Sequence, residues 1–199
     1  MTGAERSYYD RRAAEYDDFY LGTGLYAKRV RPGWAEELGV LKTVLASLRF
    51  GSLLDVACGT GFLTGCFRGN VIGLDQSAAM LAVARSRLPG AMFVRGDGLR
   101  IPFRSSRFDC IAAGHFYGHL DEPSAQLFLA EARRVAKSIL IVDAAKRDEV
   151  PHEEHQHRVL NDGSRHVVYK RYFTPERLIS ELGAGRVLHA ARWFVAALA

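Results

Sequence analysis

The chain of 199 residues is poor in sulfur and lysine, and it lacks any long apolar run. Its three cysteines, Cys58, Cys66 and Cys110, are odd in number and show no CxxC spacing, which excludes a disulfide framework and a cysteine-rich zinc site. A reducing compartment is expected. No apolar stretch approaches the ~18 to 20 residues needed to cross a bilayer, and the opening residues, Met1 to Arg6, contain nothing resembling a signal sequence. The reading is a cytoplasmic protein with no membrane partner. Lysine supplies only 5 of the 27 basic residues, and the 22 arginines are scattered among 22 acids, so the net charge of +5 is not concentrated in a stripe. The densest basic stretch, Arg85 to Arg107, contains Asp97 and has little of the aromatic interleaving that single-stranded nucleic acid favours. Nucleic acid is therefore disfavoured as a partner. Internal repeats and low-complexity linkers are also missing.

What is present suffices for one core, since 48% of the residues are hydrophobic. Short apolar runs recur at Leu53–Ala57, Val71–Leu74, Met92–Val94, Cys110–Ala113 and Ile139–Val142. Such runs suit strands covered on both faces. Helical spacing lies between them, after a Ser77 cap and after Asp121-Glu122-Pro123. The alternation predicts an α/β fold with a mostly parallel sheet. Helices are expected at Ser7–Asp18 and Gly33–Leu48, before any strand. Another should open at Thr174-Pro175-Glu176 and close at Gly183. Two final runs, Val187–His189 and Phe194–Leu198, read as an antiparallel pair at the edge of the sheet. Residues 144–173 fall outside the alternation, and Asn161-Asp162-Gly163-Ser164 marks a hairpin within them. An insertion at that point lies near the carboxyl ends of the strands, where ligands bind in open sheets.

The segment Leu53-Leu54-Asp55-Val56-Ala57-Cys58-Gly59-Thr60-Gly61-Phe62-Leu63-Thr64 reads as a strand, a glycine loop and a helix. Gly59 and Gly61 permit sharp turning and close approach of a ligand to the backbone. Thr64 stands where the third glycine of a dinucleotide fingerprint belongs, and no GxxxxGK[ST] sequence is present, so pyrophosphate and nucleoside triphosphate sites are disfavoured. Asp55 would repel phosphate yet suits a cationic ligand such as S-adenosylmethionine, which carries an ammonium and a sulfonium. Asp75 ends the second strand, where a carboxylate can accept two ribose hydroxyls. Asp97-Gly98 can offer an acceptor to an adenine amino group and an N–H to a ring nitrogen. Plainer readings stand beside these: a tight turn for Gly59 and Gly61, a helix cap for Asp75, a small loop residue for Cys58 and packing for Tyr8, Tyr9 and Tyr16.

With these motifs the chain resembles the class I S-adenosylmethionine-dependent methyltransferases, in particular the small bacterial group similar to the ubiquinone/menaquinone biosynthesis enzymes. Asp55, Gly59 and Gly61 match a (D/E)xGxGxG pattern in which Ala57 replaces the first glycine and Leu63 the last. Val71 to Ser77 with Met80-Leu81 resembles the second family motif, Gly96-Asp97-Gly98 with Pro102-Phe103 the third, and Phe108 to Ile111 leading to His119-Leu120-Asp121 the fourth. The resemblance implies a Rossmann-like, doubly wound seven-stranded sheet with an antiparallel last strand and helices on both faces. It further implies a cofactor set of Tyr16, Asp55, Ala57, Cys58, Gly59, Gly61, Asp75, Gln76, Met80, Asp97, Gly98 and His115, with the Tyr16 hydroxyl toward the methionine carboxylate. The family often has a Pro-Gly-Gly turn before the fifth strand, and Arg133-Arg134-Val135-Ala136-Lys137 lacks it.

Four of the seven histidines, His152, His155, His157 and His166, fall in the insertion. His152-Glu153-Glu154-His155-Gln156-His157 lacks HExxH spacing, so no metal is expected. His119 is the candidate for proton transfer. The expectation is one domain over 1–199: lid helices in 1–50, a cofactor-binding core in 51–143, a substrate-capping insertion in 144–173, and a closing helix with edge strands in 174–199. The function expected is methyl transfer from S-adenosylmethionine to O, N or C of a small molecule. Ala113-Gly114-His115-Phe116 stands where an Asn-Pro-Pro-Tyr-like motif would mark amino methylation of adenine or glutamine. The alternatives are an RNA or protein acceptor, and a non-catalytic S-adenosylmethionine-binding protein.

Overall fold

The computed structural model describes residues 3–199; Met1 and Thr2, counted above with the N-terminal lid, lie outside the described residues. Among the described residues nine strands and six α-helices follow in the order α1 (Gly3–Arg12), α2 (Asp18–Leu21), α3 (Trp34–Ser47), β1 (Ser52–Val56), β2 (Asn70–Asp75), α4 (Ala78–Arg87), β3 (Met92–Arg95), β4 (Phe108–Gly114), α5 (Glu122–Val135), β5 (Ala136–Ala144), β6 (Glu153–Val159), β7 (Arg165–Arg171), α6 (Pro175–Leu182), β8 (Arg186–Ala190) and β9 (Phe194–Leu198). Seven strands form one sheet in the order β3-β2-β1-β4-β5-β9-β8. The first five are parallel, while β9 runs antiparallel between β5 and β8. The order reverses at β1 and β4, so the carboxyl ends of these strands open onto the crevice where ligands bind in such sheets.

Strand side chains alternate between two cores because the strand period is two. Leu54, Val56, Ile111, Ala113, Ile139, Ile141, Val195 and Ala197 face α5 and α6, where Phe128, Leu129, Leu178 and Leu182 are buried. Leu53, Cys110, Ala112, Leu140, Val142, Phe194 and Ala196 face α3 through Leu38, Leu41 and Leu45. Each fully buried Leu or Phe contributes about 1.5–3 kcal/mol. The cap residues act as their chemistry dictates: Ser77 Oγ accepts from Met80 N–H at 3.1 Å, Asp121 from Ser124 N–H at 3.0 Å, and Thr174 from Arg177 N–H at 3.2 Å. Gly183 closes α6 at φ 82.

Two segments differ from the sequence expectation. No α-helix follows the glycine loop, where a 3-10 turn at Thr64–Cys66 stands instead. Residues 57–69 must make both the loop and the approach to β2, and Gly65 and Gly69 disfavour helix within so short a span. The expected helix Ser7–Asp18 is broken: α1 ends at Arg12, a 3-10 turn spans Ala13–Glu15, and α2 begins at Asp18. At the site of the missing Pro-Gly-Gly turn, α5 runs directly into β5, with Ala136 already extended at φ -137.

Residues 153–171 form the hairpin β6–β7 as a separate two-stranded sheet, with Val159 opposite Arg165 across the expected turn. It leans on the N-terminal helices. Asn161 N–H donates to Glu15 Oε2 at 2.9 Å, Arg11 pairs with Asp162 at 3.3 Å, and Arg158 Nη1 donates to the Tyr8 hydroxyl at 3.2 Å. The same helices are tied to the other side of the crevice. Asp10 Oδ1 accepts from Ser77 Oγ at the start of α4, and Asp17 accepts from Thr60 Oγ1 at 2.6 Å and pairs with Arg87. The N-terminal segment therefore bridges the glycine loop and the hairpin.

Candidate active site

Two cavities meet above the carboxyl ends of β1, β2 and β4. The first is lined by Tyr9, Tyr16, Ala57, Gly59, Leu74, Asp75, Gln76, Met80, Gly96, Gly98, His115 and Phe116. Ala57 and His115 both sit at φ 53, a left-handed conformation that L-residues with a side chain rarely adopt. In this position Ala57 takes the geometry that the family glycine would take without strain. Gly59 is left-handed too, at φ 56, and its N–H donates to Asp75 Oδ2 at 2.9 Å. Asp75 Oδ1 accepts from Ser77 N–H at 2.8 Å. Each carboxylate oxygen retains a second lone pair, so Asp75 combines a structural bond with capacity to accept a diol. Burial raises its pKa, against the lowering effect of the backbone N–H bonds. Gly98 has no room for a side chain: a Cβ there would meet Val56 Cγ1 at 2.8 Å and Phe116 Cζ at 3.0 Å.

Not every residue of the expected set lines this cavity. Asp55, Cys58 and Thr60 line a small adjoining recess together with Tyr16, Tyr20, Ala57 and Gly114. Asp55 accepts from Thr64 Oγ1 at 2.6 Å, and burial pushes its pKa up to about 7 despite that bond. Its charge is thus poised near neutrality rather than fixed. Burial likewise raises the Cys58 thiol, which rules out a ready thiolate. Gly61 departs from the expectation. At φ 76 it turns the chain, but a Cβ on it would meet Ala84 Cβ at 3.3 Å, so its smallness serves packing against α4. Asp97 departs as well: its Oδ1 accepts from Leu99 N–H at 2.9 Å, and Gly96 and Gly98 rather than Asp97 line the cavity.

The second cavity has a volume of about 470 Å³ and opens between the N-terminal helices, the β6–β7 hairpin and Trp193. Tyr9, Tyr16 and His115 line both cavities and form the throat between them. His119 lies in the second cavity only. Its Nδ1 is 2.6 Å from the Tyr169 carbonyl, which can only accept, so Nδ1 carries the proton and Nε2 is left as acceptor. Burial lowers the pKa of His119 and brings that of His115 down to about 4, so both rings are neutral at pH 7. His115 lines both cavities, and among the described residues its Nε2 is buried without a hydrogen-bond partner.

Sequence reasoning passed over Asp143, Lys170, Arg12 and Arg158. Asp143 ends β5 fully buried, pairs with Lys170 of β7, accepts Gly118 N–H at 2.7 Å and lies 3.8 Å from His115 Nδ1. Desolvation opposes its ionisation, but Lys170 and the histidines hold its pKa down at about 2. The available signal was an acid directly after the apolar run Ile139–Val142, the same position that marked Asp75. The histidine cluster of the insertion holds no ion-binding arrangement: among the described residues no group of three or more His, Cys, Asp or Glu side chains converges for a metal.

Comparison with known proteins adds the following. Residues 54–140 match the methyltransferase domain family. A demethylmenaquinone methyltransferase of Shouchella clausii is 37% identical over 97 residues, covering 43% of this chain and 40% of that protein. One from Thermotoga maritima is 30% identical over 136 residues, covering 65% and 55%. This chain thus spans only about half, or less, of the length of these relatives. Among solved structures, the complex of DhpI with SAH superposes with a TM-score of 0.73 at 25% identity, over 98% of this chain and 94% of that one.

Proposed function

We infer, from a chain that belongs with the class I S-adenosylmethionine-dependent methyltransferases, that it transfers a methyl group to a small molecule held in the second cavity. The observation that carries this reading is the junction of the two cavities at Tyr9, Tyr16 and His115. The residues of the first cavity fit the cofactor. The Asp75 carboxylate suits a ribose diol, the Gly59 backbone allows close approach, and Asp55 beside the recess suits an ammonium group. When bound, S-adenosylmethionine supplies an electrophilic methyl carbon on a sulfonium.

The chain's own contribution is placement and exclusion of water. The acceptor must lie about 3 Å from the methyl carbon and in line with the bond that breaks. The throat aromatics and the hairpin enclose that approach. With the cofactor bound, an acceptor lone pair would form the new bond to the methyl carbon while the carbon–sulfur pair passed to sulfur as the leaving thioether. An acceptor that starts protonated gives its proton to water or to the His119 Nε2 lone pair, which is free of the Tyr169 contact. Among the described residues no helix is long and apolar enough to cross a membrane. The reading is tested by calorimetric titration with S-adenosylhomocysteine and with NAD. Binding of the first and at least about tenfold weaker binding of the second are expected; equal affinities would remove the cofactor assignment.

A further inference from the structure

The lining of the second cavity is cationic to a degree that a neutral acceptor does not explain. Arg12, Arg29, Arg31, Arg147, Arg158 and Lys170 all border it, against the single carboxylate of Glu154 among the described lining residues. Lys170 is neutralised by Asp143 and Arg147 by Glu149. Arg12, Arg29, Arg31 and Arg158 have no carboxylate within ion-pair distance among the described residues. Nor is Glu154 at their disposal, since it accepts from the Tyr172 hydroxyl at 2.6 Å and from Gln156 Nε2 at 2.8 Å.

Two of these guanidiniums converge. Arg12, only 5% exposed, and Arg158 both donate to the one hydroxyl of Tyr8. Their remaining bonds go to the Tyr26 hydroxyl at 3.0 Å and to Gln156 Oε1 at 2.8 Å. Arg12 lies over the Tyr8 and Tyr16 rings and is bonded only to neutral hydroxyls, so it has stabilising contacts but no counter-charge, which an oxyanion in the cavity would supply. Bound S-adenosylmethionine would bring a sulfonium and an ammonium against one carboxylate, so it would not supply the counter-charge that these four guanidiniums lack. None of the six cations lies within residues 54–140, the stretch matched by the methyltransferase domain family, so that match leaves the acceptor chemistry of this cavity open.

Building on the methyltransferase reading, we propose that the acceptor is a compact organic acid, carboxylate or phosphonate, with its oxyanion held by Arg158 together with Arg12 and its apolar body among Phe19, Trp34, Tyr172 and Trp193. The test uses the chain saturated with S-adenosylhomocysteine and titrated with benzoate, phenylphosphonate and benzamide. One or both acids should bind at least about tenfold more tightly than the amide, and the stronger of the two identifies the anion class. Arg158→Gln should weaken acid binding about fivefold or more, with S-adenosylhomocysteine affinity held within about threefold; Arg158→Lys should recover part of the loss. Arg12→Gln, at the other guanidinium on the Tyr8 hydroxyl, provides a second variant should Arg158→Gln misfold. Equal binding of all three probes, or acid binding undiminished in a folded Arg158→Gln or Arg12→Gln variant, overturns the proposal. If S-adenosylhomocysteine itself fails to bind, the cofactor reading falls, and the same probes on the free chain still decide the anion preference.

Discussion

The two cavities at the mouth of the sheet are built from different materials. The first is made by consecutive strand ends and by backbone: left-handed Ala57, Gly59 and His115, the N–H groups held by Asp75, and glycines whose Cβ would clash. The second is made by side chains from three distant stretches, the N-terminal helices, the hairpin and Trp193. A surface of backbone and strand termini is constrained by the fold and tolerates few changes. A surface of arginines and aromatics on added segments can change without disturbing the sheet. Under the proposed function the first would bind the cofactor and the second would choose the acceptor, and each proposal can be broken separately.

The largest expected effect comes from removing one wall of the second cavity. Replacing residues 152–168 by a short Gly/Ser loop should abolish methyl transfer to any acid that the intact chain accepts from a metabolite panel. S-adenosylhomocysteine affinity should fall by no more than about tenfold, or ~1.4 kcal/mol, because the hairpin's exposed ties to the lid, such as Arg11–Asp162, are individually weak. Loss of folding would instead make residues 144–173 part of the scaffold. Next in size, Asp75→Ala should weaken S-adenosylhomocysteine binding by about 1.5–3 kcal/mol, the range for hydrogen bonds to a charged partner. The same variant loses two internal N–H acceptors, so its circular dichroism must be native for the loss to count as local.

That contrast also explains what the sequence made legible. The strands, the caps at Ser77, Asp121 and Thr174, the hairpin turn and the closing pair were readable because each is a local pattern of a few residues. The first cavity was partly readable for the same reason, since Asp75 ends β2 and Gly59 and Gly98 follow the ends of β1 and β3 by three residues. Gly61 and Asp97 show the limit: a glycine reads alike whether it meets a ligand or Ala84, and a carboxylate reads alike whether it is open or bonded to Leu99 N–H. The lost helix after β1 follows from a short, glycine-bearing connection whose length was visible in the sequence. The arginine-lined cavity was not legible, because Arg12 and Arg158 are brought together only by the packing of the hairpin on α1.

A smaller effect separates charge in the two cavities. Asp55, with its pKa raised to about 7, binds its proton more tightly in the folded chain than in the unfolded one. Stability conferred by that group is therefore highest at low pH, declines as pH rises through about 4 to 7, and stays reduced above. Asp55→Asn should remove this decline, making the variant about 1–2 kcal/mol more stable than the parent at about pH 8 and no more stable at about pH 4. Cofactor affinity should move the other way. In the parent it should rise from about pH 6 to 8 as Asp55 ionises toward the ligand ammonium, whereas the variant should show a flat profile. Parallel profiles for parent and variant would detach Asp55 from the cofactor.

The smallest effect tests whether the first cavity is in fact set by backbone. Ala57 holds φ 53, where a side chain costs roughly 1 kcal/mol relative to glycine. Ala57→Gly relieves that strain but frees the unfolded chain, which takes back part of the gain. The net should be a stabilisation of about 0.5 kcal/mol in chemical denaturation, with S-adenosylhomocysteine affinity unchanged within about twofold. Ala57→Val keeps an apolar side chain but adds β-branching, which is poorly accommodated at positive φ, and should cost about 1–2 kcal/mol in stability. The predicted order is thus Gly, Ala, Val, following backbone strain. An order following side-chain bulk in affinity, with stability unchanged, would mean that the loop recognises its ligand through the residue 57 side chain, and the division between a backbone-built and a side-chain-built cavity would fail at its clearest position.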